Sequence, residues 1–282
     1  MNKEKIMKGV FLTAACISIL AVLLICLFLF ANGIPAMLEI GVFDFLLGRN
    51  WKPSNQPQSF GIFPMILGSI YVTAGAAMIG VPIGILTAVF MAMYCPQRLY
   101  RILKPAIDLL AGIPSVVYGF FGLVVIVPFL RDTLGGTGSS MLAASILLGI
   151  MILPTIISVS ESAIRAVPKS YYDGGLALGA SHERTIFTVI LPAAKSGIMA
   201  AIVLGISRAI GETMAVIMVA GNQARMPRGI LKGIRTLTAN IVIEMGYAAE
   251  LHREALIATA VVLFAFILGI NLLLSLIKRR AS

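Results

Sequence analysis

The residues best placed to do chemistry are Arg208 and Glu212, two charges inside the apolar run Gly197 to Ala220, GIMAAIVLGISRAIGETMAVIMVA. A charge at mid-bilayer costs about 2.5–3.5 kcal/mol on insertion scales, so such residues face a protein interior or a watery path. The i, i+4 spacing predicts one helix face and a pair one turn apart. Two readings follow. The pair either locks two helices together as a structural ion pair or serves a transport path.

The elements that must position this pair are membrane helices. The chain has 282 residues, 59% hydrophobic and 12% charged, with a mean hydropathy of +0.98. Soluble domains carry about twice that charge, so a polytopic membrane protein is expected, all-α because each span must satisfy its own backbone. Six spans are predicted: Val10–Ala31, Gly68–Met93, Ile107–Leu130, Met141–Ser160, Gly197–Ala220 and Ala255–Ile277. The first is too long for the apolar core of a secretory signal and reads as an uncleaved helix. Gly80 and Gly84 make a small-residue face suited to close helix contact.

The formal charge of +10 has a topological explanation rather than a nucleic-acid one. With the N-terminus inside, the cytoplasmic segments hold thirteen basic residues, among them Lys3, Lys278, Arg279 and Arg280, against eight outside. That asymmetry predicts both termini in the cytoplasm. The external cluster Arg225 to Arg235 runs against the rule. It is either an anion-attracting mouth or ordinary solvated charge. The first external segment, Asn32 to Phe60, carries a short helix around Met37–Leu47, and Trp51 fits an interfacial belt. Ile230–Gly246 is apolar enough to dip back toward a pore. Cys16, Cys26 and Cys95 form no disulfide framework, and His182 and His252 have no metal-ligand spacing.

Between spans four and five lies Glu161 to Gly197, ESAIRAVPKSYYDGGLALGASHERTIFTVILPAAKSG. Glu161 and Arg165 form an i, i+4 pair, and Pro168 breaks that helix. Tyr171–Leu178 predicts a short helix ended by Gly179. His182–Ile190 predicts a second, stopped at Pro192. Two short helices about a glycine turn make a rigid elbow suited to docking.

Asp173-Gly174-Gly175, three residues, Gly179, nine residues and Val189-Ile190-Leu191-Pro192 resemble the loop Glu-Ala-Ala-x3-Gly-x9-Ile-x-Leu-Pro of ABC importer membrane subunits. The spacing agrees throughout. The acid is kept as Asp173, and both alanines become glycine, at about 1 kcal/mol of helix propensity each. Phe60-Gly-Ile-Phe-Pro64, Leu110-Ala-Gly-Ile-Pro-Ser-Val-Val-Tyr-Gly119, Gly205-Ile-Ser-Arg-Ala-Ile-Gly-Glu-Thr213 and Thr236-Leu-Thr-Ala239 narrow the resemblance to the phosphate-specific ABC permeases of the PstC type.

The resemblance implies a type I ABC importer (MetI-like) permease fold. Residues 1–60 would hold the first helix and external loop, and 61–282 the transmembrane domain with its coupling loop, 161–196. It implies that Asp173, Gly174, Gly175, Gly179, Leu191 and Pro192 contact a cytosolic ATPase dimer (PstB-like). It also implies a second homologous permease (PstA-like) and an extracytoplasmic phosphate-binding protein (PstS-like) docking on the outer loops. Arg208 would offer its guanidinium fork to phosphate oxygens, and Glu212 would hold the fork while the site is empty. Ser115 and Tyr118 and, more weakly, Thr213 and Thr155 would line the same path or bond between helices. The chain has no Gly-Lys dipeptide and hence no P-loop, so no cofactor is expected in it. ATP and Mg would belong to the partner ATPase. Two alternatives stand beside phosphate: another oxyanion, such as sulfate or molybdate, and an ion-gradient-driven secondary transporter. The latter would show paired inverted repeats, and no second copy of the Arg208–Glu212 segment or the elbow occurs.

Overall fold

The computed structural model describes the backbone of residues 2–281 and the side chains of all of these except 2–3, 273–274 and 277–281. The side chains of Lys3, Lys278, Arg279 and Arg280, part of the charge asymmetry, therefore lie outside the described residues. Helix α1 (Asn2–Ile40) runs nine residues past its predicted end, through Pro35. It is followed by α2 (Val42–Leu47) and a hairpin of β1 (Trp51–Lys52) and β2 (Ser59–Phe60), paired antiparallel. Then come α3 (Phe63–Val89), α4 (Gln97–Gly112), α5 (Ser115–Phe121), α6 (Val127–Leu134) and α7 (Met141–Arg165). The elbow is α8 (Lys169–Ala177) and α9 (His182–Thr185), leading into α10 (Leu191–Gly211). The chain closes with α11 (Met214–Val219), α12 (Leu237–Met245) and α13 (Glu250–Ala281).

Six helical stretches among the described residues are long and apolar enough to cross a membrane: Glu4–Ile40, Phe63–Tyr94, Ser115–Leu134, Met141–Arg165, His182–Gly211 and Glu250–Leu272. All six predicted spans fall on them, in whole or in part. The core is α7, 61% of whose apolar window is buried, packed between α3 and α10. The predicted Gly80–Gly84 face forms this seam. A Cβ on Gly80 would meet Ile152, and one on Gly84 would meet Ile156, each at 2.7 Å. Helix α1 packs on α13, and most of its surface is left for lipid or another chain.

Three helices widen into π turns, at Phe90–Tyr94, Gly122–Ile126 and Ile186–Ile190. Each ends two residues before a proline: Pro96, Pro128 and Pro192. A proline removes the bond to the carbonyl four residues back and crowds that carbonyl. The residue preceding each proline donates instead to the carbonyl five back: Cys95 to Phe90, Val127 to Gly122 and Leu191 to Ile186. Pro192 was predicted to stop a helix. The π turn absorbs it, and His182–Gly211 continues as one stretch of 30 residues.

Because α3 runs from the hairpin to the elbow, these two mark opposite ends of the bundle. Trp51, predicted for an interfacial belt, is instead buried at 6% exposure. The predicted return toward the bundle is real from Leu237 onward, where α12 is largely buried, while Ile230 stays exposed.

Candidate functional site

The predicted fifth span is broken. Helix α10 ends at Gly211, Glu212 is extended (φ −70°, ψ 131°), and α11 starts after Thr213. At such depth the freed backbone groups need new partners, and side chains supply them for three of these groups. The Glu212 carboxylate Oε1 accepts from the Ala215 backbone N–H at 3.2 Å, capping α11. The Glu212 carbonyl accepts the Thr238 hydroxyl at 3.1 Å. The Thr213 hydroxyl donates to the Gly211 carbonyl at 3.2 Å.

This break overturns the expected Arg208–Glu212 pair. An i, i+4 pair needs a continuous helix, and Glu212 has left it to cap the next one. Among the described residues no carboxylate lies within salt-bridge distance of Arg208. Its Nη1 donates to Thr155 Oγ1 on α7, at 3.3 Å. The guanidinium is half-buried, carries a full charge, and holds one neutral hydroxyl.

The predicted third span is broken too, at Ile113–Pro114, between α4 and α5. Proline disfavours helix at the residue before it, and Ile113 is extended. Ser115 opens α5, half-buried, beside this break. The Tyr118 hydroxyl, expected in the path, donates to the Leu110 carbonyl at 2.8 Å and so bridges the break. Gly119 lets α5 press on α11: a Cβ there would sit 2.9 Å from the Ala215 Cα. The second halves of the two broken helices, α5 and α11, thus pack beside each other, and the break after α10 holds Glu212 and Thr213 one turn beyond Arg208 and its partner Thr155.

The elbow forms as the spacing predicts. Helix α8 runs through Gly174 and Gly175 despite their low propensity. Gly175 has a packing reason, since a Cβ would meet Thr185 Cγ2 at 2.6 Å. Gly179 has φ +81°, the left-handed turn that ends a helix. Asp173, Gly174 and Pro192 are exposed, and Leu191 is half-buried. Leu178 is 91% exposed, an apolar side chain at the tip. Hollows of about 390 and 460 Å³ flank the base of α8, meeting at Val167 and Pro168. The Tyr172 hydroxyl meets His182 Nδ1 at 2.6 Å, and the His182 ring stands edge-on to Tyr94 at 5.0 Å, tying the elbow to the end of α3. A side chain forced to φ +81° costs about 1–2 kcal/mol. If the elbow docks an ATPase as the resemblance implies, Gly179→Asp should leave the bundle folded but cut recovery of that partner with this subunit, measured by co-purification.

Two polar hubs escaped the sequence reading except for one pair. At the elbow end, Glu161 is 2% exposed. It accepts from Tyr100 at 2.7 Å and from Arg165 Nε at 2.6 Å, and meets Lys104 at 3.2 Å. Arg165 also reaches the Met91 carbonyl at 2.8 Å and covers the Tyr100 ring at 4.4 Å. The hydrogen bond to Glu161 is the main cause that raises the Tyr100 phenol above its usual pKa. Burial works against the Lys104 charge, but Glu161 and Asp108 outweigh it and raise its pKa. At the hairpin end, Glu244 accepts from the Trp51 indole at 2.7 Å, from His252 Nε2 at 2.9 Å and from Arg235. Arg235 also holds the Asn222 carbonyl and Asn240 Oδ1, both at 3.0 Å. Arg235 thus leaves the proposed anion mouth, whereas Arg225, Arg228 and Lys232 are exposed. An acid inside the apolar run Ile241–Met245 was the available signal for the second hub.

The model of the family described as binding-protein-dependent transport system inner membrane component matches residues 80–282. The chain is 44% identical to "Probable ABC transporter permease protein YqgH" of Bacillus subtilis, covering 85% of this chain and 79% of that one. It is 34% identical to "Phosphate transport system permease protein PstC" of Mesorhizobium japonicum, covering 84% and 78%. Among solved structures, a bacterial alginate ABC transporter in complex with a pentasaccharide-bound periplasmic protein superposes with a TM-score of 0.66 at 17% identity, covering 98% of this chain and 96% of that one. That likeness concerns the fold.

Proposed function

The chain belongs to the family of binding-protein-dependent transport inner membrane components, and on that premise we propose that its cargo is inorganic phosphate. The coarser role is that of the membrane permease subunit of an ABC importer, in a multi-pass inner-membrane protein. ATP hydrolysis belongs to a separate subunit, and a substrate-binding protein is the other partner implied.

The observation that carries an anionic cargo is Arg208. A guanidinium with no carboxylate partner among the described residues, half-buried where α10 meets α7, is costly while it waits for an anion. It gains two parallel charge-assisted bonds when an oxyanion arrives. Glu212 then acts not as a clamp on Arg208 but as the cap that keeps α11 folded beside it. Thr155 orients the guanidinium, and the hydroxyls of Ser115 and of Thr213, the latter now held by the Gly211 carbonyl, would turn to the anion as it passes. Relatives named as phosphate permeases support phosphate among the oxyanions. The elbow end is read as cytoplasmic, with both termini inside, because the basic residues collect there. Asp173 to Gly179, with Leu191 and Pro192, is its contact with the ATPase. The second permease would be homologous, and the hairpin end would receive the phosphate-binding protein.

The test is uptake of labelled phosphate at low micromolar supply. Cells lacking the gene are compared with complemented cells, with unlabelled sulfate and molybdate as competitors. The expected result is loss of uptake, restoration by the gene, and no block by either competitor. Unchanged phosphate uptake, with other phosphate systems absent, overturns the assignment. Block by sulfate or molybdate favours the same machinery with a broader oxyanion cargo.

A further inference from the structure

Contacts run from the hairpin to the break beside Arg208, and they run through α12. At its C-terminal end, Glu244 holds the Trp51 indole at 2.7 Å, together with Arg235. At its N-terminal end, the Leu237 backbone N–H donates to Ser69 Oγ at 3.0 Å on α3, and Thr238 donates to the Glu212 carbonyl at 3.1 Å. Helix α12 has nine residues in all, and Thr238 and Glu244 stand about 9 Å apart along it at the usual rise. Leu237, Thr238, Ala239, Asn240 and Glu244 are all buried. An internally hydrogen-bonded, packed helix this short moves as a unit, so displacement of one end is felt at the other.

The N-terminal contact is placed to matter. The Glu212 carbonyl is a group freed by the helix break, and Thr238 is the side chain that satisfies it. The same residue caps α11 with its carboxylate. Where Thr238 holds Glu212 therefore sets the start of α11, and with it the geometry one turn beyond Arg208.

We infer that α12 is a strut, with Glu244 and Thr238 as positioning residues that couple the hairpin to the helix break. Docking on the hairpin moves Trp51, Trp51 moves Glu244, and Thr238 shifts the break. The inference rests on the reading that the hairpin end faces outward. It does not depend on which anion is carried. A role confined to satisfying buried polar groups would affect stability but would not link the two ends.

The experiment uses the complete transporter with its ATPase. Lys52, exposed on the hairpin beside Trp51, is replaced by cysteine (Lys52→Cys) and labelled with a membrane-impermeant fluorescent thiol reagent added from outside the cell. Emission is compared before and after trapping with ATP and vanadate. The expected result is a step in emission that Thr238→Val reduces about threefold or more, with the amount of complex and the basal ATPase rate unchanged. Thr238→Ser, which keeps the hydroxyl, is expected to restore the step. An undiminished step in Thr238→Val, or no step with Thr238 intact, overturns the strut. Labelling of Lys52→Cys only from the cytoplasmic side overturns the orientation and the strut with it. Failure of phosphate uptake touches only the cargo.

Discussion

Replacing Arg208 by glutamine is expected to lower phosphate uptake by roughly 10²–10⁴-fold while the transporter still assembles. The magnitude follows from two charge-assisted hydrogen bonds at about 1.5–3 kcal/mol each, with a factor of ten for every 1.4 kcal/mol. Arg208→Lys keeps the charge but not the planar fork, so an intermediate loss, about tenfold, is expected. Stability supplies an independent sign. Among the described residues Arg208 is bonded to Thr155 and to no carboxylate, so on the proposed reading its charge is a cost the fold carries for function. Arg208→Gln should therefore leave the melting temperature of the purified complex unchanged or raise it. A structural ion pair predicts the reverse: a lower melting temperature with uptake retained in both variants. Measuring uptake and melting on the same preparations separates the two accounts.

That discrimination was not available from the sequence, and the reason is local. The apolar periodicity from Gly197 to Ala220 is compatible with one helix, and in one helix Arg208 and Glu212 must meet. What ends the helix is Gly211-Glu212-Thr213, where Glu212 finds a backbone N–H of the next helix to cap and Thr238, 26 residues on, takes its carbonyl. A long-range partner of this kind leaves no trace in spacing. The break at Ile113–Pro114 was more legible, because proline acts on its own neighbour. The elbow was most legible of all: Pro168, Gly179 and the spacing to Pro192 are local signals, and α8, the positive φ at Gly179 and the exposed tip follow from them. Length and hydropathy located the six spans but not their ends. Their ends depend on π turns before prolines and on buried hubs assembled from distant segments, as Trp51 and Glu244 are.

The second large effect is expected at Glu161. One side chain there takes hydrogen bonds from Tyr100 and Arg165 and an ion pair from Lys104, joining α4 to the last turn of α7. Arg165 carries the joint on to the Met91 carbonyl at the end of α3. Removing one partner of a buried pair costs about 3–5 kcal/mol when the other charge is left stranded. Here Arg165 is 44% exposed and Lys104 26%, so water can recover part of that loss. About 2–3 kcal/mol is the expected cost of Glu161→Ala, read as a lower melting temperature. Glu161→Gln keeps an acceptor for Tyr100 and should fall between the two. The last turn of α7 leads within three residues of Arg165 to Pro168 and the elbow, so the hub also sets the angle at which α8 projects. Loosening it should let the ATPase turn over without matching uptake. The ratio of phosphate imported to ATP hydrolysed is then expected to fall in Glu161→Ala below the value set by reduced protein amount alone. A lower melting temperature with an unchanged ratio would make the hub a fastening of the bundle and leave the transmission of elbow motion to the Tyr172–His182–Tyr94 contact.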